Sequence, residues 1–398
     1  MKKLITILLL IMIVTGNSYM ISRQNVSAKE PKFVNVSEKA LDLSAKSAVV
    51  MEQGSGEILF EKDKDKQLAP ASVTKVMSLL LVFQELEQGR LKLGDIVTVS
   101  EHAASMGGSQ VFLEPGEKQD VKTLIKCVVV SSANDAVVAL AEHICGSEKA
   151  FVSRMNKEAQ RLGMTHTAFK NACGLDEKGH VTTAYDIALM TRELARKHPQ
   201  IFKYTKIWMD TIIHKTKKGE KEFGLSNTNK LIRQYNGCTG MKTGSTSKAG
   251  FCLSATATRN KIHMIAVVMA SESSKTRVKE ASQLLDYGFS NCQMIKDVTT
   301  KKEIGKITVE KGEQEEVQYK NKIVSQILDI KNSTGKIKKK IQIYKIKAPV
   351  KKGQCIGKIL YMRGNKVIKT EEINAKTSIK KADFFSQIKK ICLRYFQI

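Results

Sequence analysis

Several absences narrow this 398-residue sequence before any motif is read. Its seven histidines form no His-Glu-x-x-His and no cluster with cysteine, so neither a metal centre nor another cofactor is predicted. The eight cysteines, at 127, 145, 173, 238, 252, 292, 355 and 392, include no Cys-x-x-Cys pair. Several of them, such as Cys127 and Cys252, lie inside apolar runs and read as small core hydrophobes, although their redox state stays open. No cysteine lies near the expected cleavage site at Val26-Ser27-Ala28, which argues against a lipid carried on an N-terminal cysteine. Acidic residues are scarce, 39 against 66 lysines and arginines, giving a net charge of +27. No nucleic-acid-binding motif accompanies that charge, so DNA and RNA are not expected partners.

A hydrophobic content of 42% supports a substantial core, and the length suggests two domains or one large domain with an appendage. Met1-Lys2-Lys3, the short apolar stretch from Leu4 to Val14, and the small residues Val26-Ser27-Ala28 predict a signal peptide over residues 1–28. That apolar stretch is short for a membrane span, and a retained N-terminal anchor is the alternative. For an exported chain of this charge, the expected anionic neighbours are membrane lipids and wall polymers. Residues 29–292 are predicted to form the main domain, 293–377 a small all-β domain, and 378–398 an amphipathic helix.

Three short motifs occur in order within the main domain. Ser72-Val73-Thr74-Lys75 opens an apolar run with helical spacing at Val76, Leu79, Leu80 and Phe83, predicting a buried helix that begins at Ser72 after Pro70. Residues three apart share a helix face, so Lys75 is placed to take a proton from Ser72. Ser-x-x-Lys also occurs at Ser245, Ser333, Ser378 and Ser386, so this motif alone carries little. Ser132-Ala133-Asn134 falls between a predicted helix at 121–130 and another at Ala136 to Ile144, with Asn134 or Asp135 able to cap the second. Lys242-Thr243-Gly244 lies on a predicted edge strand, followed by strands at Phe251 to Thr258 and Ile262 to Ala270. Gly244 would let a substrate backbone approach that strand. Each of the last two motifs is unique in the sequence.

Together with Thr183-Ala184-Tyr185-Asp186, Asn227-Thr228-Asn229, Ala249 to Leu253 and the Arg277 region, this set resembles the low-molecular-mass penicillin-binding proteins that are D-alanyl-D-alanine carboxypeptidases. The resemblance is strong over roughly residues 40–290. Around Ala348-Pro349-Val350 it extends weakly into the family's C-terminal β-domain. It implies a mixed α/β fold, an antiparallel sheet flanked by helices plus an all-helical subdomain. It implies Ser72 as nucleophile, Lys75 as base and Ser132 as proton relay from Lys75 to the leaving amine. Asn134 would orient the substrate amide, while Lys242, Thr243 and, as a second cation, Arg277 would recognise a terminal carboxylate. Backbone N–H groups of Ser72 and Ser245 would form the oxyanion hole, and Ser245, where relatives often carry a bulkier residue, would alter access. The implied partners are pentapeptide stems of peptidoglycan and β-lactams. A β-lactamase would need a deacylating base, and Glu142, Asp176 and Glu177 are unassigned candidates. A catalytically inactive surface protein on the same scaffold is a third reading.

The C-terminal stretch differs in character. Residues 295–375 are Lys-rich with short Ile/Val stretches, and the run Lys338 to Lys340 reads as a solvated face. Phe384, Phe385, Ile388, Ile391, Cys392, Tyr395 and Ile398 keep helical spacing against Lys381, Lys389, Lys390 and Arg394. That pattern suits a helix lying in an anionic membrane surface at the outer face, with packing on the β-domain as the alternative.

Overall fold

The structure, a computed structural model, describes residues 41–216, 219–331, 335–386, 388 and 392. The predicted signal peptide, residues 1–28, lies outside the described residues. Two compact units are present. The larger runs to Met294 and takes in Ile330, and the smaller begins at Ile295.

The larger unit is built on a five-stranded antiparallel sheet. Its strands are β1 (Ser47–Glu52), β2 (Ile58–Lys62), β3 (Cys238–Thr246), β4 (Gly250–Arg259) and β5 (Ile262–Ser271), in the order β2-β1-β5-β4-β3. β3 is therefore an edge strand, pairing only with β4, with Lys242 opposite Ser254 and Gly244 opposite Cys252. Strand side chains alternate between faces. Val49, Met51, Ile265 and Val267 belong to the main apolar core with the helices, while Val50 and Met264 line Gly288 of helix α6 (Ser274–Ser290) on the other face.

The other long helices are α1 (Lys75–Glu87), α2 (Val121–Val130), α3 (Asn134–Cys145), α4 (Glu148–Arg161) and α5 (Ala184–Lys197). α1 is apolar nearly all round, with Val76 to Phe83 buried, so it runs through the centre of the core. Polar residues set where the other helices start. Asp120 accepts from the Thr123 amide at α2, Ser147 from Ala150 at α4, Thr183 from Asp186 at α5 and Ser273 from Thr276 at α6. α3 stops at Gly146, whose φ of +76° is the left-handed closure that glycine adopts without strain.

Two local expectations are corrected. The helix does not begin at Ser72. Residues Ala71–Thr74 form a 3₁₀ turn, and the α-helix starts at Lys75. Neither Asn134 nor Asp135 caps α3, whose N-cap is Ala133 with no side-chain bond. Asp135 instead accepts from the Val111 and Leu113 amides, pinning the loop before α2, and Asn134 is left to serve the interior.

The smaller unit contains an antiparallel sheet of strands Ile337–Ile343, Cys355–Arg363 and Lys366–Asn374, in the β-rich architecture expected. Lys338 and Lys340 face solvent, but Lys339 turns inward. There it pairs with Asp297 (3.1 Å) and Glu303 (2.7 Å), and the Tyr361 hydroxyl also donates to Asp297. An alternating strand sends every second residue to the core, so a run of three lysines cannot be wholly solvated. The predicted boundary at 378 shifts too. Ile379 bridges Val350 and Lys381 bridges Gly312 as extended chain, and helical residues first occur at Phe384. Residues 387, 389–391 and 393–398 of the predicted amphipathic helix lie outside the described residues. Among the described residues no helix is long and apolar enough to cross a membrane.

Candidate active site

Ser72 owes its position to backbone geometry. Ala71 takes a φ of +48°, a conformation that costs an L-residue energy and is characteristic of functional turns. In the 3₁₀ turn that follows, side chains three apart eclipse. Lys75 therefore stands directly over Ser72, its Nζ 3.0 Å from Ser72 Oγ. Glycines on both sides hold the turn. A Cβ at Gly244 would lie 2.8 Å from the Ser72 amide nitrogen and 2.9 Å from both Pro70 O and Val73 N. A Cβ at Gly174 would lie 1.9 Å from Ala71 O. Gly244 thus allows the edge strand to close onto the nucleophile's own turn, rather than serving only an incoming substrate. Gly174 went unnoticed in the sequence because it belongs to no motif.

Lys75 is fully buried among acceptors. Its amine donates to Ser72 Oγ, to Asn134 Oδ1 at 2.5 Å and to the Cys173 carbonyl at 2.8 Å. Burial pushes its pKa down to about 8, opposed by nearby Cys173 and Asp135. Asn134 passes the tether on, its Nδ2 donating to Gly107 O at 2.6 Å. These two partners orient the amide, since an ammonium only donates and a carbonyl only accepts.

Ser132 sits in the connection between α2 and α3 at a φ of +60°. Its hydroxyl accepts from Lys242 Nζ at 2.9 Å, so Ser132 is bonded to the β3 amine rather than to Lys75. Lys242 is also buried and donates to the Thr243 carbonyl at 3.0 Å. Its pKa is pushed well below that of an ordinary lysine, first by burial and then by the neighbouring charges of Lys75 and Arg277. Thr243 is buried with its hydroxyl 2.6 Å from that of Thr228, and Ser245 is exposed. Arg277 lies beneath the strand, buried, donating to the carbonyls of Gly244 (3.0 Å) and Cys252 (3.3 Å) with its guanidinium over Phe251. It braces β3 from behind.

Ser72, Lys75, Ser132, Asn134, Lys242 and Thr243 thus converge from three parts of the chain through direct hydrogen bonds. Residues outside the three motifs complete the shell. Besides Cys173 and Gly174, His180 bonds Thr74 Oγ1 at 2.9 Å while accepting from the Lys170 amide. Burial lowers the His180 pKa to about 4, so a neutral ring anchors the turn. The candidate carboxylates are engaged elsewhere: Glu142 with Ser100, Asp176 with Thr246 and Glu177 with Asn171. Among the described residues, none of them bonds Ser72, Lys75 or Ser132.

A serine hydroxyl, a neutralisable amine and a second amine in one largely buried cluster are suited to acyl transfer with an anionic substrate end. Comparison with known proteins agrees. The D-alanyl-D-alanine carboxypeptidase family model matches residues 33–273, and that of the penicillin-binding protein 5 C-terminal domain matches 293–381. The D-alanyl-D-alanine carboxypeptidase DacF of Bacillus subtilis is 41% identical over 348 residues, 87% of this chain and 88% of that protein. DacC of Escherichia coli is 32% identical over 88% of each. Among solved structures, penicillin-binding protein 5 of Haemophilus influenzae superposes with a TM-score of 0.65 at 31% identity, covering 89% of this chain and all of that one. The Streptomyces K15 DD-transpeptidase, with a TM-score of 0.58 at 28% identity, is matched in full by 66% of this chain. On the site's geometry and these matches, the chain belongs to the D-alanyl-D-alanine carboxypeptidase family.

Proposed function

We propose that the protein is a serine-type D,D-carboxypeptidase that removes the terminal D-alanine from peptidoglycan pentapeptide stems and is acylated by penicillin at the same atom, Ser72 Oγ. The observation that carries this reading is the buried Lys75–Ser72 bond, with the second buried amine, Lys242, close enough to feel the Lys75 charge. Neutral Lys75 accepts the Ser72 proton as Oγ bonds the carbonyl carbon between the two D-alanines. The developing oxyanion is met by the Ser72 and Ser245 amides, a contribution of about 3–4 kcal/mol per donor. The C–N bond then breaks, and the departing nitrogen receives a proton through Ser132, which Lys242 holds in place. Water adds to the ester, returning the proton to Ser72 and releasing the shortened stem.

The two amines act as one titrating pair, because each charge disfavours the other in a buried site. A bound carboxylate gives Lys242 the counterion it lacks, which keeps the proton there and leaves Lys75 free to act as base. Asn134 serves this base first, and substrate amide contact falls to it once Gly107 yields its Nδ2. With no carboxylate among the described residues bonded to the nucleophile or its base, the penicillin ester is expected to hydrolyse slowly, unlike that of a β-lactamase.

Export directed by residues 1–28 would place the enzyme on the wall side of the membrane. The exposed Phe384 and Phe385, followed by basic residues, support interfacial attachment to anionic lipid. The test of the function is D-alanine release from a pentapeptide by the wild type and by Ser72→Ala. Release should fall by orders of magnitude in the variant, and undiminished release would refute the assignment.

A further inference from the structure

Thr228 belongs to none of the three motifs, yet its side chain reaches the site. It lies in a turn fastened at both ends. Asn227 donates through Nδ2 to Ile207 O (2.7 Å) and accepts from the Asn229 amide (2.9 Å), while Asn229 Oδ1 accepts from the Leu231 amide. The Thr228 amide donates to Val130 O (3.2 Å), the last residue of the helix that leads into Ser132. Its hydroxyl meets that of Thr243 at 2.6 Å. Thr243 is buried, and Thr228 is the one side-chain partner of its hydroxyl among the described residues.

A hydroxyl has a single proton to donate and can accept in two directions. A carboxylate only accepts, so Thr243 must spend its proton on the ligand and must then accept from Thr228. We propose that Thr228 is a positioning residue for carboxylate recognition: its O–H points at Thr243 Oγ1, fixes that rotor, and leaves the Thr243 proton aimed into the pocket beside Lys242. Hydroxyls bonded in series polarise one another, so the chain Thr228 to Thr243 to carboxylate is stronger than its last bond alone. The turn also spans the two parts of the site, tying the Ser132 connection to the Lys242 strand. This inference rests on the proposed D,D-carboxypeptidase reading and names how that site recognises its substrate's anionic end.

The experiment compares Thr228→Val, which keeps shape and removes the hydroxyl, with Thr228→Ser, which keeps the hydroxyl. Second-order acylation by benzylpenicillin should fall about tenfold in the valine variant and recover in the serine variant. On a pentapeptide substrate the loss should fall on KM rather than kcat, since the carboxylate is held before and during bond breaking. With a penicillin methyl ester, whose carboxylate is masked, the valine and wild-type enzymes should react alike. Equal losses on acid and ester, or a serine variant as impaired as the valine one, would show a merely structural role and overturn the proposal. Unchanged acylation in Thr228→Val would overturn it too while leaving the parent reading intact. A wild type that takes up no penicillin would overturn both.

Discussion

In the proposed mechanism Lys75 is the base because of where its amine is buried. An amine whose pKa falls to about 8 holds its proton below that pH and releases it above. Only the released form can take the Ser72 proton. Penicillin acylation should therefore rise with pH through about 8 and flatten beyond, falling about tenfold per unit on the acid side. A stopped-flow or gel-based rate series from pH 6 to 10 would show this, and a flat profile would contradict it. Lys75→Arg keeps a cation in place but cannot give up its proton at any of these pH values. Acylation of that variant should drop about a thousandfold or more, with the fold retained by circular dichroism. Ser132 and Ala71 add a second residue-scale feature, non-glycine positions at positive φ on either side of the reacting centre. Strain of this kind persists only where the surrounding packing enforces it.

At the level of elements, the site is a meeting of a 3₁₀ turn, an interhelical connection and an edge strand, and two glycines set how closely they meet. Gly244→Ala would put a methyl group against the Ser72 amide, the proposed oxyanion donor. Acylation should fall about a hundredfold while thermal stability changes less. Gly174→Ala, at a φ of +92° and against Ala71 O, should displace the turn and cost about 1–3 kcal/mol, read as a lowered melting temperature. These elements were unequally legible from sequence. The α2 helix at 121–130 and the strands at Phe251 to Thr258 and Ile262 to Ala270 followed from their apolar runs. The switch from 3₁₀ to α at Lys75 was not, since apolar spacing does not distinguish a first turn of three residues from one of 3.6. The role of Asn134 was misread for a related reason. A polar residue at a helix start is most economically a cap, and only the tertiary position of Lys75 shows that its amide is needed elsewhere. Cys173 and Gly174 act through a backbone carbonyl and a missing side chain, and neither leaves a compositional trace.

For the whole molecule, the proposed catalytic residues all lie in the larger unit, which has its own core. The smaller unit likewise has its own apolar cluster, centred on Ile327, Ile356, Ile359, Tyr361 and Ile373. A chain ending at Ser290 should therefore still take up penicillin, in keeping with the K15 transpeptidase being matched in full by part of this chain. Deleting residues 384–398 should release an active enzyme from membranes, measured by sedimentation with anionic vesicles, and unchanged association would count against interfacial attachment. The central claim is chemical and has a direct measurement. Protein treated with penicillin is digested, and the peptide carrying the added mass is sequenced by mass spectrometry. The account predicts one equivalent of penicilloyl ester, on Ser72 and absent from Ser72→Ala. An adduct on any other residue, or none at all from a folded wild-type protein, would contradict it.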